Sequence, residues 1–386
     1  MKNNQSIVVG IIFENQKELI DLLNIARSLA SVFKCTIKII SPSKIYIDKQ
    51  SEVILNNLNK NEEVYYIEAP INQKFSNLSS INKFLHVRKV SKNFIDYFDN
   101  VTIVLSGIQT IFERVLYKKL VKKGIPFFVY HRHLIFGSSF KKMSKLIDNC
   151  IVKYFINILN INELITIVPN IGFASKYLVL GEVNANYLME NGVSKDDIFI
   201  TGSLEYDDLS KINVPEINNT NESICYITGA YEWHGYFERE NNQRFKLNNL
   251  IKFVQNKEYK LTIRVHPRED FAKYYNLQKK YPFISLQFPS KERSVIEDLI
   301  QYNYIIGGFS TAMFEIALLK KPVLFYCLEN ERTDYQDIID YLPSESITND
   351  ITNKVKPVII DIDKIISYNI HKSSKEKIIN HIKELF

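Results

Sequence analysis

Residues that often mark special chemistry are few in this sequence. Its 386 residues include 12 glycines, 11 prolines, 4 cysteines and 1 tryptophan. The cysteines lie far apart and form no CxxC pair, so we expect buried, reduced thiols rather than disulfides. Asn, Ile, Lys and Tyr are abundant instead, a skew that we attribute to AT-rich coding and that carries little functional information.

Long apolar runs and glycine-rich nucleotide motifs are also missing. No segment reaches the roughly 18 consecutive apolar residues that span a bilayer. The apolar start, SIVVGIIF at 6–13, is followed too soon by Glu14 to be a secretory signal. Neither GxGxxG nor GxxxxGK[ST] is present, so the sequence lacks the motifs that usually indicate a dinucleotide oxidoreductase or a P-loop NTPase. We therefore expect a soluble, cytoplasmic protein, with peripheral contact at the inner membrane face as an open alternative.

The charge is positive but modest. A net charge of +6 fits an anionic small molecule or a membrane surface, and it is too weak to indicate nucleic acid without a basic stripe. The apolar fraction of 46% and the charged fraction of 24% are typical of a globular protein with a sizeable core. The chain length predicts two domains.

Strand-like apolar runs alternate with helical patterns along the chain. Examples are SIVVGIIF, NVTIVLSG and IPFFVYH in the first half, and ICYITGA, KLTIRVHP and YNYIIGGFS in the second. This alternation predicts parallel sheets covered by helices on both faces. We predict an α/β protein of two doubly wound, Rossmann-like domains that face a central cleft, residues 1–172 and 173–386. The last amphipathic helix is able to cross back to the first domain.

One of these strands, KLTIRVHP, ends by presenting His266 against Pro267. Ligands of open α/β sheets bind beyond the carboxyl ends of the strands. Proline fixes its own φ and disfavours helix at the residue before it, which holds His266 extended, with Arg268 two residues on. An imidazole in this place can donate a hydrogen bond to a phosphate. An incidental histidine in a helix N-cap region is the alternative.

A second element follows the strand YNYIIGG. After Gly307 and Gly308, Ser310 and Thr311 open a helix, where exposed backbone N–H groups and the helix dipole attract anions. Glycine also lets a ligand approach the backbone. The alternative to an anion site here is that Ser310 only caps the helix. Since both elements fall at strand ends of one sheet, we predict a phosphate site formed by His266, Arg268, Gly308, Ser310 and Thr311.

A third loop, TGAYEWHGYFEREN at 228–241, follows the first strand of the second domain. It contains His234, Glu238 and Arg239, which would line the cleft, although a plain surface loop is equally compatible with the sequence.

Two histidines follow a strand of the first domain. His131 and His133 lie at i and i+2 of an extended segment and so point to the same side. Because no carboxylate or cysteine ligand lies nearby, we expect no metal and interpret them as a base or an acceptor-binding group.

Three segments resemble bacterial surface-polysaccharide glycosyltransferases of the GT-B fold. They are LGEVNANYLMENGVSKDDIFITGSLEYDD, RVHPRE and GGFSTAMFEIALLKKPVLFY, which match the order and separation of that family's motifs over about 176–330. The resemblance implies a metal-independent, inverting transferase without cofactor, acting in capsule or lipopolysaccharide-type synthesis. Its second domain would hold a nucleotide-sugar donor, and its first a glycan or lipid-linked glycan acceptor. His266, Ser310 and Thr311 would hold the donor phosphate, and Glu315 and Gly229 would face the nucleotide.

The donor class follows from which members of this group are most similar. The His-Pro and Ser/Thr pair is typical of sialyltransferases and Kdo transferases, so a CMP-activated sugar is favoured, although their Asp/Glu-Asp/Glu-Gly motif is absent. A similar pair occurs in CDP-glycerol glycerophosphotransferases, which also have a Trp-His-Gly motif in the first domain. The segment VYHRHLIFGSSFKK resembles that motif imperfectly, and this resemblance implies that His131 is the base. The motifs are also compatible with a UDP-sugar 2-epimerase of the same fold and with a non-catalytic carbohydrate-binding protein.

Overall fold

Two units, each built on its own parallel sheet, make up the protein in a computed structural model. The first unit contains the described residues up to Asp207 and those from Ser367 onward, and the second contains Asp208–Ile366. The structure describes residues 6–13, 16–41, 49–66, 95–107, 111–132, 134, 176–215, 223–233, 235–257, 259–290, 293–351, 357–368 and 373–385.

Seven described strands form the sheet of the first unit. They pair in the order β3-β2-β1-β4-β5-β6-β7, and every pair is parallel. The central strands are buried on both faces because helices cover both, which explains their continuous apolar sequences. Their bounds are β1 Ser6–Ile12, β2 Lys34–Ser41, β3 Glu62–Tyr66, β4 Ile103–Ser106, β5 Phe127–His131, β6 Lys176–Val179 and β7 Ile198–Ile200.

Six described strands form the sheet of the second unit, in the order β10-β9-β8-β11-β12-β13 and again all parallel. The first strand of this unit, β8, therefore lies between β9 and β11, and the order reverses there. In register, Ile227 of β8 lies opposite Arg264 on one side and Gly307 on the other. The bounds are β8 Ser223–Ile227, β9 Lys260–Arg264, β10 Ile284–Gln287, β11 Tyr304–Gly307, β12 Val323–Tyr326 and β13 Ile347–Thr348.

Helices connect most of these strands. Among those described, none is both long and apolar enough to cross a lipid bilayer. Their bounds are α1 Gln16–Ala30, α2 Lys49–Asn56, α3 Ile111–Lys122, α4 Glu182–Glu190, α5 Leu204–Asp207, α6 Phe237–Lys257, α7 Ala272–Lys280, α8 Val295–Leu299, α9 Thr311–Leu318, α10 Glu329–Ile339 and α11 Ser374–Lys383.

The last helix, α11, packs in the first unit. Its Ile378 and Ile382 are fully buried in the core that also contains the apolar face of α1. Asp207 accepts hydrogen bonds from the backbone N–H groups of Ser374 (2.7 Å) and Lys375 (3.1 Å) at the start of α11. A carboxylate at this end of a helix satisfies exposed N–H groups and complements the dipole.

The predicted boundary between residues 172 and 173 differs from this division. Strand β6 pairs with β5 and β7 pairs with β6 in the first sheet, so the first unit continues to Asp207. The fully buried Tyr177 and Leu178 of β6 complete the core of that unit. An apolar run identifies a strand but does not identify its sheet, because pairing depends on residues distant in sequence.

The predicted fold class is confirmed, since both units are α/β with parallel, Rossmann-like sheets. The expectation for the cysteines is confirmed where the structure describes them: Cys35, Cys225 and Cys327 are buried and free. Burial raises the pKa of Cys35 to about 11 and that of Cys327 to about 12, so both remain thiols. Cys150 lies outside the described residues.

Candidate anion-binding site

Three strand ends meet at the carboxyl edge of the second sheet. Because β8 pairs with both β9 and β11, the ends of β9 and β11 lie about 10 Å apart, two strand spacings of about 4.8 Å each. His266 follows β9 and Ser310 follows β11, so the structure brings the two predicted elements to the same edge. The strand order reverses at this position, which is where open α/β sheets bind ligands.

His266 begins a tight turn over residues 266–269. The N–H of Glu269 donates to the carbonyl of His266 (3.1 Å), and Pro267 has the fixed φ that the second position of such a turn needs. The N–H of Arg268 donates to Nδ1 of His266 (3.1 Å). Since a backbone N–H can only donate, Nδ1 is the acceptor and the neutral ring carries its proton on Nε2. The next helix begins only at Ala272, so His266 is not part of its cap.

Glu269 joins this turn to the end of β8. Its side chain is only 2% exposed. Oε2 accepts a short hydrogen bond from the hydroxyl of Thr228 and a longer one from the N–H of His266 (3.3 Å). That same N–H also donates to Oγ1 of Thr228 (2.9 Å). The ends of β8 and β9 are thus held together by side chains beyond the last backbone pair of the ladder.

The other oxygen of Glu269 faces helices α6 and α7. Oε1 accepts hydrogen bonds from Gln243 (3.0 Å) and the hydroxyl of Tyr274 (2.7 Å), and forms an ion pair with Lys273 (2.9 Å). Burial raises the pKa of Tyr274 and the Glu269 charge adds to this effect, so the phenol remains a donor. Burial opposes the charge of Lys273, but its contacts with Glu240 and Glu269 outweigh this and raise its pKa.

Gln243 extends the network to Gly229. Its Oε1 accepts from the N–H of Gly229 (2.6 Å), and its Nε2 donates to the carbonyl of the same residue (3.2 Å). The predicted nucleotide-facing role of Gly229 stays a prediction. The structure shows that both backbone groups of Gly229 are hydrogen-bonded to the Gln243 side chain. Sequence reasoning missed Gln243, Thr228 and Glu269, although Glu269 stands in the quoted motif RVHPRE.

The helix α9 begins at Thr311, three residues after the glycine pair that follows the apolar part of β11. Ser310 is its N-cap residue and has an extended backbone (φ −138°, ψ 155°), but its side chain accepts no capping hydrogen bond. Its Oγ is buried and makes no hydrogen bond to any residue that the structure describes. Plain capping therefore does not account for Ser310. The first N–H groups of the helix have no partner within it, as at every helix start, and Thr311 is exposed beside them.

Tyr231 covers the space above two glycines of this edge. A Cβ atom at Gly229 would lie 2.9 Å from two ring carbons of Tyr231, and one at Gly308 would lie 3.1 Å from its hydroxyl oxygen. Both glycines thus have a packing role. The approach of a ligand to Gly308, expected from the sequence, stays a prediction.

The first turn of α6, which follows the loop after β8, carries a further cation, Arg239. Its Nη2 donates to Asp334 (2.7 Å), and its guanidinium lies 5.2 Å from the ring centre of Tyr236 and 5.4 Å from that of Tyr335. Of the other residues predicted to line the cleft, Glu238, also in the first turn of α6, is exposed, and His234 lies outside the described residues. Glu315 lies one turn into α9 and is half-buried. Their roles stay predictions.

In the first unit, His131 ends β5 and is 6% exposed, with its ring centre 6.0 Å from that of Tyr177. His133 lies outside the described residues, and a role of either as base or acceptor-binding group stays a prediction. Within the described part of the chain, no group of three or more His, Cys, Asp or Glu side chains could hold a metal ion.

Arg132, between the two histidines, is a buried cation that sequence reasoning missed. Its Nη1 lies 3.1 Å from Oδ2 of Asp21, and its Nη2 lies 2.7 Å from Oε2 of Glu205. Burial raises the pKa of Asp21 to about 6, an effect that Arg132 only partly opposes.

A comparison with known families finds a similarity to one class of transferases over part of the chain. Residues 193–381, just under half of the chain, match the model of a family described as CDP-Glycerol:Poly(glycerophosphate) glycerophosphotransferase. The matched range contains the whole candidate anion-binding site. Among curated proteins, none is significantly similar in sequence to this chain.

Solved structures with a similar fold include UDP-GlcNAc 2-epimerases. That of Methanocaldococcus jannaschii is 14% identical, with 98% of this chain and 100% of that chain covered and a TM-score of 0.56. The same organism's enzyme in complex with UDP-GlcNAc and UDP is 15% identical, covers 98% and 100%, and has a TM-score of 0.53. The Neisseria meningitidis enzyme bound to UDP-GlcNAc is 12% identical, with 98% and 91% covered and a TM-score of 0.52. At these identities the likeness concerns the fold alone, and it agrees with the expected GT-B fold class.

Proposed function

We propose that this chain is a transferase that moves glycerol phosphate, or a similar polyol phosphate, from a cytidine-diphosphate donor to an acceptor hydroxyl. The donor phosphates would bind at the carboxyl edge of the second sheet. The observation that carries the proposal is the placement of His266 and of the start of α9 on either side of β8, inside the range similar to glycerophosphotransferases. The buried Ser310 hydroxyl, which makes no hydrogen bond to a described residue, supports a ligand at this position.

The groups of this edge suit a diphosphate because each donates a hydrogen bond or carries positive charge. Nε2 of His266, the first N–H groups of α9 and Oγ of Ser310 are donors, and Arg268 adds an exposed cation. During transfer, the acceptor oxygen bonds to the phosphorus of the glycerol phosphate. The phosphoanhydride bond breaks, CMP leaves with its electron pair, and the acceptor proton passes to a base. Donors placed in advance around the leaving phosphate stabilise the charge that develops there.

A CMP-activated sugar, the donor that the sequence favoured, is the second candidate. It would present a single phosphate to the same groups, and only the motif resemblance supports it. Only the likeness in fold supports an epimerase activity. At 12–15% identity, such a likeness does not indicate a shared function. The acceptor, a glycan or lipid-linked glycan, and peripheral membrane contact belong to the proposal as well.

The test is a donor panel on the purified protein. We expect CDP and CMP, but not UDP or GDP, to raise the melting temperature, because a ligand of the native state stabilises it. We expect CDP-glycerol to release CMP only when a polyol-phosphate or glycan acceptor is added. Turnover of a CMP-sugar without turnover of CDP-glycerol would favour the second candidate. Conversion of UDP-GlcNAc without any acceptor would identify an epimerase, and no response to any nucleotide would reject the proposal.

A further inference from the structure

The buried carboxylate of Glu269 has more partners than a turn of four residues requires. Its side chain is 2% exposed, yet it meets donors from the end of β8, from its own turn, from α6 and from α7. Among the described residues, these donors are the Thr228 hydroxyl, the His266 N–H, the Gln243 amide, the Lys273 ammonium and the Tyr274 hydroxyl.

The two oxygens of this carboxylate contact different sets of groups. Oε1 faces Lys273, Tyr274 and Gln243, which balance its charge and fill its acceptor positions. A carboxylate is tolerated in the interior only when it is paired and hydrogen-bonded in this way. Oε2 faces Thr228 and the N–H of His266, the two groups that connect the ends of β8 and β9.

A buried ionic cluster is weak support for stability, since apolar residues of the same volume often serve as well. What an apolar residue cannot do is fix the direction of the groups around it. Here the group that is fixed is the backbone of His266, whose N–H is shared between Thr228 (2.9 Å) and Glu269 (3.3 Å). The turn held in this way also places the N–H of Arg268 on Nδ1 of the imidazole (3.1 Å).

We propose that Glu269 is a positioning residue of the anion-binding site: through Thr228 and the His266 backbone it sets the direction in which His266 presents Nε2–H. This inference rests on the proposed function, since the partner of that N–H is the donor phosphate. Through Gln243, the same carboxylate also connects to both backbone groups of Gly229, so one residue orients two of the three strand ends.

The first test needs no ligand. In protein labelled with ¹⁵N histidine, the signals of His266 are identified by their loss in His266→Asn. We expect a proton on Nε2 and an acceptor Nδ1 in the native protein. In Glu269→Ala, we expect the two nitrogen signals to move towards each other as both tautomers become populated, and Glu269→Gln to restore most of the native pattern. Unchanged His266 signals in Glu269→Ala would overturn the inference.

The second test measures affinity for CDP. We expect Glu269→Ala to weaken binding on the order of 10- to 100-fold, by analogy with groups that orient metal-ligating histidines, and Glu269→Gln to weaken it less. The matched control is Glu62→Gln, which removes a buried, ion-paired carboxylate of the first unit and leaves CDP affinity unchanged. Unchanged affinity in Glu269→Ala would also overturn the inference.

The two tests still decide the role of Glu269 if a variant does not fold or if the native protein binds no nucleotide. If Glu269→Ala does not fold, Thr228→Val replaces it, because that variant removes the hydroxyl between Glu269 and His266 while keeping the shape of the side chain. If the native protein binds no cytidine nucleotide, the proposed function is wrong, and the ¹⁵N spectra still decide whether Glu269 orients His266.

Discussion

His266 and Ser310 offer the same chemistry to an anion but are held by different means. The ring of His266 is oriented by a backbone N–H of its own turn and by a carboxylate behind it. Ser310 is placed by the backbone alone, at the start of α9, and its hydroxyl is left with no hydrogen bond among the described residues. The loss of the Ser310 hydroxyl should therefore weaken ligand binding without removing a hydrogen bond among the described residues, whereas the loss of the His266 ring also removes the bond from the N–H of Arg268.

We expect His266→Ala and Ser310→Ala each to weaken CDP binding roughly 10- to 100-fold, since a hydrogen bond to a charged group contributes about 1.5–3 kcal/mol. Calorimetric titration measures this directly. Matched controls are His381→Ala, on α11, and Ser346→Ala, a buried serine whose hydroxyl donates to Pro343. Native-like affinity in both site variants would show that the site is assigned to the wrong residues.

A second residue-scale prediction concerns Asp21, whose pKa burial raises from 3.8 to about 6. Between about pH 4 and 6 the folded state keeps a proton that the unfolded state has released, so the free energy of unfolding falls as the pH rises. We expect Asp21→Asn, which resembles the neutral form, to lose this dependence and to gain up to about 3 kcal/mol at pH 7. Urea unfolding followed from pH 4 to 7.5 measures it.

Glu62 provides the comparison of opposite sign. A side-chain hydrogen bond from Arg27 lowers its pKa to about 2, so it stabilises the fold above its unfolded pKa of 4.5 and loses that contribution as the pH falls towards 2. We expect Glu62→Gln to destabilise the protein at pH 7. A gain of stability in Glu62→Gln, or a loss in Asp21→Asn, would contradict the assigned burial and pairing.

At the scale of elements, the connections at the strand ends depend on a few backbone positions. Gly202, just after β7, has φ +81°, and a Cβ there would lie 2.2 Å from the carbonyl oxygen of Ser367. The glycine of the motif ITGS is thus needed for contact with the segment that leads to α11, rather than for a ligand. Gly192, after α4, has φ +89° with open space around it.

Alanine substitutions at these two positions separate the energetic cost of backbone strain from that of steric contact. We expect Gly192→Ala to cost about 1–2 kcal/mol, the strain of a left-handed alanine, and Gly202→Ala to cost roughly 3 kcal/mol or more, because overpacking adds to the strain. Thermal unfolding of both variants measures the difference. Equal losses would mean that the Ser367 carbonyl moves aside without cost.

At the scale of the whole molecule, the first and the last described elements, β1 and α11, belong to the same unit. The first unit contains β1 to β7 and is completed by α11, whose isoleucines enter its core, while the second unit is continuous from Asp208 to Ile366. The C-terminal helix therefore contributes to the stability of the unit that lacks the candidate anion-binding site.

We expect Ile382→Ala to destabilise the first unit by about 2–5 kcal/mol, the usual cost of a fully buried isoleucine. Hydrogen exchange measured by mass spectrometry should show faster exchange in β1, β2 and β4 than in the native protein. The matched variant Ile263→Ala, in the core of the second unit, should instead increase exchange in β8 and β9. Identical exchange patterns for the two variants would contradict the division into units.

The sequence by itself determined the alternation of strands and helices, the α/β class and the positions of His266 and Ser310 at strand ends. These features depend on residues close together in the chain, namely continuous apolar runs, a proline after a histidine and small polar residues before a helix. The same local patterns placed the domain boundary at 172/173, since they do not indicate which sheet a strand joins.

Only the tertiary structure decided that β6 and β7 belong to the first sheet, that β8 lies between β9 and β11, and that Glu269 meets Thr228 from 41 residues away. Asp207 meets Ser374 from 167 residues away in the same manner. Such partners are chosen by the packing of buried surfaces and by the need of buried polar groups for hydrogen bonds, both of which act between residues that are neighbours in space.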